Sequence, residues 1–180
     1  MDKGIYTVVK GDATKPQTLD HRVLVAHVCN TLGAFGAGFV LAITKAWGYR
    51  VKDKYQAQIS TSDEKGEEKL GKVSYILCTQ APSGAVLKPQ IVVANMIAQE
   101  STVNRDNPRP LKYNALARCM DDVARIVLKS QNENKCRIDS IHCPKFGSDL
   151  SGGDWAFIKE LINDCWLVKG INVTVYEWEG

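Results

Sequence analysis

The chain has 180 residues, 44% hydrophobic and 24% charged, with a formal net charge of +3. That length suits one domain, residues 1–180, with a substantial core, and the composition is that of an ordinary soluble globular protein. The small positive balance, without a run of five Lys/Arg, requires no nucleic-acid partner. No apolar stretch approaches the roughly 20 residues that cross a membrane.

In chain order, "IYTVV" (5–9) predicts a short strand ending at Gly11-Asp12. "RVLVAHV" (22–28) is a continuous β-branched run, the profile of a strand buried on both faces. A glycine-rich loop follows. Phe39, Val40, Ile43 and Trp47 then recur at helical spacing, and Gly48 is placed to stop that helix. "RVKDKYQAQI" predicts a polar helix. "KVSYILC" (72–78) and "QIVVANMIA" (90–98) predict two more strands, joined by a Pro/Gly-containing loop.

The polar, proline-bearing segment "STVNRDNPRPLK" predicts a long loop, functional or mobile. As a lid, it would carry Arg105 and Arg109 toward a terminal phosphate. A strongly amphipathic helix comes next, with Tyr113, Leu116, Ala117, Met120, Val123, Ala124, Val127 and Leu128 on one face. "RIDSIHC" (137–143) predicts a strand, and "PKFGSDLSGGDW" is a second glycine-rich loop. Asp154 is placed to cap a helix bearing Ile158, Leu161, Ile162 and Cys165. "INVTVYEW" (171–178) alternates with period two. Strands alternating with helices predict a three-layer α/β/α domain, whose ligand crevice lies outside the carboxyl ends of its strands.

The six cysteines, at 29, 78, 119, 136, 143 and 165, form no CxxC pair and no zinc spacing with the three histidines. The N-terminal "MDKGIYTVV" lacks a signal-peptide profile. The expectation is a cytoplasmic, reducing setting, with no metal and no membrane partner, the thiols packed as small hydrophobes.

Four constellations bear on function. Asp12 after the first strand either accepts from a base or ribose donor or caps a turn. Asn30 precedes "GAFGAG" (33–38), where glycines let amides converge on an anion at a helix start; a plain turn is the alternative. The spacing is neither that of a dinucleotide-binding βαβ unit nor that of a P-loop. "FGSDLSGGDW" offers a second set of amides and hydroxyls. His27, on the same strand face as Val23 and Val25, is either a core histidine or a group serving the loop.

"GDAT", "AHVCNTLGAFGAGFVLAITKAWG", "LGKV", "PKFGSDLSGGDW" and the terminal "VTVYEW" resemble, in order, the macrodomain family. The resemblance is to the branch that holds ADP-ribose 1″-phosphate phosphatases and terminal ADP-ribose glycohydrolases. It implies a mixed sheet of six strands between helices, with ADP-ribose in a cleft at the strand ends. By position, Asp12 would accept from the adenine amino group, with Ala13 beside it in the ligand-binding set. Asn30 would meet the distal ribose. Gly36, Ala37 and Gly38 would hold the diphosphate and distal ribose from one side, and Gly147, Ser148, Leu150 and Ser151 would wrap the diphosphate from the other, with Asp149 also in the ligand-binding set.

Two departures stand out. The glycohydrolase branch has a lysine in the segment after "NMIA" and an aspartate four residues after Gly147. Here those neighbourhoods carry Gln99 and Glu100, and Ser151, with Asp149 where a glycine is usual. "HxCN", matched by His27, Cys29 and Asn30, resembles the phosphatases. The resemblance therefore implies cofactor-independent hydrolysis of ADP-ribose 1″-phosphate, with His27 and Asn30 as catalytic residues; Asp149, a departure from the family pattern, is the expected second acid/base. The rivals are an ADP-ribosyl hydrolase acting on protein or nucleic-acid conjugates, and an ADP-ribose reader without turnover. The expected partner is ADP-ribose or its 1″-phosphate, and the expected state a monomer.

Overall fold

The computed structural model describes residues 2–61, 66–78, 89–133 and 136–178. Its strands are β1 (Tyr6–Lys10), β2 (Arg22–Asn30), β3 (Val73–Cys78), β4 (Gln90–Gln99), β5 (Ser140–Pro144) and β6 (Asn172–Glu177). Its helices are α1 (Phe39–Trp47), α2 (Arg50–Thr61), α3 (Gly66–Lys69), α4 (Tyr113–Gln131) and α5 (Trp155–Cys165). The strands form one six-stranded sheet in the order β1-β6-β5-β2-β4-β3. Every neighbouring pair is parallel except β3 and β4, so the sheet is mixed.

The two faces of β2 explain its nearly continuous apolar run. Val23, Val25 and Cys29 pack with Val40, Ile43, Val51 and Tyr55, so α1 and α2 lie on one face. Leu24 and Ala26 pack with Leu116, Met120, Ile158 and Ile162, so α4 and α5 lie on the other. A central strand covered on both sides has no reason to alternate. α4 buries Ala115, Leu116, Cys119, Met120, Val123, Ala124 and Val127, with Trp166 donating its Nε1–H to Met120 O at 2.8 Å. Truncating one such large core side chain costs about 2–5 kcal/mol.

Several boundaries differ from the sequence expectation. The strand expected over 137–143 begins only at Ser140, because Arg137–Asp139 are committed elsewhere. Ile138 N–H donates to Ser130 Oγ, and the Asp139 carboxylate accepts from His21 N–H, Arg22 N–H and Arg137 Nε. β2 runs on to Asn30 through a bulge between Cys29 and Asn30, where its register against β4 skips a residue. The loop expected between β3 and β4 falls on 79–88, outside the described residues. No described helix is long and apolar enough to cross a membrane.

All six cysteines are free thiols; five are buried and Cys136 is exposed. Burial raises the pKa of Cys78 and Cys165 to about 11 and that of Cys119 to about 12, and pushes Cys29 and Cys143 up as well.

Candidate functional site

The five parallel strands bring their carboxyl ends to one edge of the sheet. β2 leaves toward α1 on one face, while its neighbour β5 leaves toward α5 on the other. Adjacent strands departing to opposite faces open a crevice between their loops, the switch point of an open α/β sheet. The two glycine loops emerge there, and they meet. A side-chain carbon at Gly38 would lie 3.5 Å from Leu150 Cδ1.

The first loop is organised by Asn30. Its Oδ1 accepts from Leu32 N–H and Ala34 N–H, both at 3.0 Å, and its Nδ2 donates to Ala34 O at 2.9 Å. Those bonds leave one N–H of the Asn30 amide for a ligand. Tyr55, reaching across from α2, donates its hydroxyl to Asn30 O and approaches Asn30 Oδ1. Gly36, Ala37 and Gly38 are exposed. Gly38, at φ 73°, starts α1 without a side-chain cap, so no capping side chain takes the first amides of that helix. Among the described residues, no acceptor takes the N–H groups of Gly36 to Val40.

The second loop is a closed turn. Gly152 N–H donates to Asp149 O and Gly153 N–H to Gly147 O. Gly147, at φ 76°, packs against Leu111 and Ile158. Asp154 accepts from Ala156 N–H, so the start of α5 is filled by its own cap, and any ligand must use the loop's own amides. Those of Gly147 to Ser151 have no acceptor among the described residues. The Ser148 hydroxyl donates to Lys145 O. Ser151 is buried, its Oγ accepting from Gln99 Nε2 and its carbonyl from Leu111 N–H. Asp149 and Leu150 are exposed.

Asp12, half-buried at the end of β1, accepts at Oδ1 from both the N–H and the hydroxyl of Thr14, each at 2.8 Å. It forms the turn the sequence offered as one alternative, and Oδ2 remains for a further donor. Ala13 is buried beneath it.

His27 does not reach the cleft surface. It is 2% exposed, with its ring edge-on to Phe35 and Phe39 at centroid distances of 6.1 and 6.0 Å. Asn95 Nδ2 donates to Ser74 Oγ, so Asn95 Oδ1 accepts from His27 Nε2–H at 2.6 Å. Burial lowers the His27 pKa to about 4, against the raising effect of Asn95, and the ring is neutral.

The base of the long loop is tied to the first glycine loop. Thr31 N–H donates to Gln99 O, Ser101 N–H to Thr31 Oγ1, and Ser101 adopts φ 62°. Arg109 lies over the Tyr113 ring at 5.2 Å. Tyr55 and Thr31 are the contributors that the sequence did not suggest. Tyr55 sits one turn after Val51 in an otherwise polar helix, a spacing that signals burial but no partner.

No family model matches the sequence, and no curated protein matches it. Solved structures do. A protein of unknown function from Bacteroides thetaiotaomicron is 29% identical, with 96% of this chain and 98% of that one covered and a TM-score of 0.77. DarTG from Thermosipho africanus in complex with ADP-ribose is 16% identical, covering 95% of this chain and 41% of that one, with a TM-score of 0.65; that is a likeness of fold. A macrodomain protein from Streptomyces coelicolor is 32% identical, covering 96% of this chain and 99% of its own, with a TM-score of 0.71. On that identity over nearly its full length, the chain belongs to the macrodomain family.

Proposed function

We propose that this protein binds ADP-ribose between the two glycine loops and hydrolyses ADP-ribose 1″-phosphate to ADP-ribose and inorganic phosphate. The carrying observation is the pair of amide rows, Gly36–Val40 and Gly147–Ser151, on two loops that meet at Gly38 and Leu150 and have no acceptor among the described residues. Two rows of oriented N–H groups suit the two groups of a diphosphate. The bound ADP-ribose of the Thermosipho africanus protein supports the same ligand. Asp12 Oδ2 then takes the adenine amino group, with Ala13 below it. The remaining Asn30 N–H and the amides of Ala37 and Gly38 serve the distal ribose.

In the hydrolysis, water attacks the terminal phosphorus in line and the bond from phosphorus to the anomeric oxygen breaks. The water's proton ends on the leaving oxygen or the phosphate. The amides stabilise the charge that builds on phosphate. Asp149, the exposed carboxylate on the second loop, is the proton carrier. His27 supports the first loop from beneath. Direct proton transfer by His27 would require its ring to leave Asn95 and swing out past Phe35 and Phe39, whereas Asp149 needs no such movement.

The glycohydrolase rival is disfavoured by Gln99 and Ser151, which stand in that branch's lysine and aspartate neighbourhoods. They hydrogen-bond to each other, and neither an amide nor a neutral hydroxyl so engaged is an activated nucleophile. The deciding experiment is phosphate release from ADP-ribose 1″-phosphate, with calorimetric ADP-ribose binding on the same sample. Release is expected for the parent, and Asp149→Asn should slow it by about 10²–10⁴-fold with binding retained. Binding without release overturns the phosphatase, and release of ADP-ribose from a modified protein or nucleic acid then separates the glycohydrolase from the reader; absence of binding overturns all three.

A further inference from the structure

On the α1–α2 side, among the described residues, the apolar cluster under those helices takes in no residue of β5 or β6. The segment from Gly11 to His21 crosses there instead, and a buried polar chain holds it. Ser140 Oγ donates to Asp20 Oδ2 at 2.5 Å, so it accepts from His142 Nε2–H at 3.0 Å. His142 Nδ1 is then the acceptor for the Tyr176 hydroxyl at 2.9 Å, and Tyr176 Oη accepts from Gln17 N–H at 2.9 Å. Every proton in this chain has one assignable direction, from the Gln17 amide to the Asp20 carboxylate. His142 and Tyr176 are each 1% exposed, and no step of the proposed hydrolysis uses them.

Tyr176 touches the crossing segment twice. Its hydroxyl holds Gln17. Its ring lies under Gly11, where a side-chain carbon would sit 3.7 Å from Cδ1, while Gly11 N–H donates to Glu177 O in the next residue of β6. Between those two anchors runs the turn that presents Asp12, closed by Thr14 on Asp12 Oδ1 and by Lys15 N–H on Asp12 O.

We infer that Tyr176, oriented by His142, is the positioning residue for base recognition: it clamps both ends of the 11–17 turn and thereby fixes the direction of Asp12 Oδ2. This rests on the ADP-ribose reading and adds to it which residues set the preference for adenine. A carboxylate oxygen discriminates a donor only while its direction is fixed. A turn released at Gln17 still folds but presents that oxygen over a range of angles.

The test compares ADP-ribose with its 6-deamino analogue, in which hydrogen replaces the exocyclic amino group, by calorimetry on the parent, Tyr176→Phe and Ser140→Ala. The parent should prefer ADP-ribose by about tenfold, as expected for one hydrogen bond to a charged acceptor. Tyr176→Phe keeps the ring and loses the clamp. Its preference should fall to about twofold, with affinity for the deamino analogue unchanged; Ser140→Ala, at the far end of the chain, should lower the ratio in the same direction. General destabilisation would lower both affinities together and leave the ratio intact, and that result overturns the inference. Amide exchange over 12–19 in the ligand-free protein separates the two proposals. Faster exchange in Tyr176→Phe supports the clamp even if ADP-ribose does not bind, whereas unchanged exchange overturns it.

Discussion

Mild acid should cost this protein much of its stability, because two histidines are folded in the neutral state. His27 and His142 are 2% and 1% exposed, and burial lowers each from the usual 6.5 to about 4. Asn95 acts against the shift at His27 and Asp20 at His142, and burial outweighs both. In the unfolded chain both rings return to about 6.5. Between about pH 6.5 and 4 the unfolded state therefore binds more protons than the folded state. The stability held by these rings is complete above that window and is lost as pH falls through it. Each ring accounts for roughly 2 kcal/mol at about pH 5 and roughly 3 kcal/mol below pH 4, so the pair removes roughly 4 kcal/mol by pH 5. Against a typical total of about 5–15 kcal/mol that is a large share. Urea midpoints measured at neutral pH and near pH 5, for the parent, His27→Gln and His142→Gln, read it directly. Each variant starts less stable and should show about half the parent's acid loss. A parent midpoint that does not move, or an equal loss in all three proteins, would refute the burial argument.

Three glycine and asparagine substitutions separate the site from the fold. A side-chain carbon at Gly36 meets nothing within 4 Å. Gly36→Ala should therefore leave the urea midpoint unchanged yet weaken ADP-ribose binding by about tenfold or more, because the methyl stands where the diphosphate approaches the backbone; unchanged affinity removes this loop from the site. At Gly153 the same carbon would lie 2.4 Å from both Gly147 O and Leu111 Cδ2. Gly153→Ala should cost about 1–3 kcal/mol of stability as well as binding, and a parental midpoint would show that the second loop is not closed as described. Asn30→Ala strips the acceptor from Leu32 and Ala34 and should cost roughly 1–3 kcal/mol; it should speed amide exchange across 32–38, and unaltered exchange there would deny Asn30 its organising role.

The elements of this fold were legible where one physical signal dominated. β2 and β4 are covered on both faces and read as apolar runs interrupted only by His27 and Asn95, and α4 carries a wide apolar stripe. Boundaries blurred where side chains compete for the backbone, as at Ile138 and Asp139. Both glycine loops were legible because unfilled amides need small residues and turns, and those leave a composition. What each polar residue does was not legible. Asn30 and Asp12 spend most of their bonds on their own loops, and His27 turns inward to Asn95, because those choices depend on partners 2 to 68 positions away. Tyr55 and Tyr176 were invisible as site residues for the same reason: each is an apolar position by pattern and a hydrogen-bonding tip by tertiary contact.

The distribution of thiols has a practical consequence for anyone following this cleft in solution. Thiolate is the form that reacts with alkylating dyes, and burial suppresses it at five of the six cysteines. Cys136 is exposed and precedes β5, at the amino ends of the parallel strands, while both glycine loops leave the carboxyl ends. The unaltered sequence thus offers one labelling point on the far side of the sheet from the crevice. A fluorophore or spin label there can report tumbling and ligand-linked changes without a cysteine-free background and without crowding the loops.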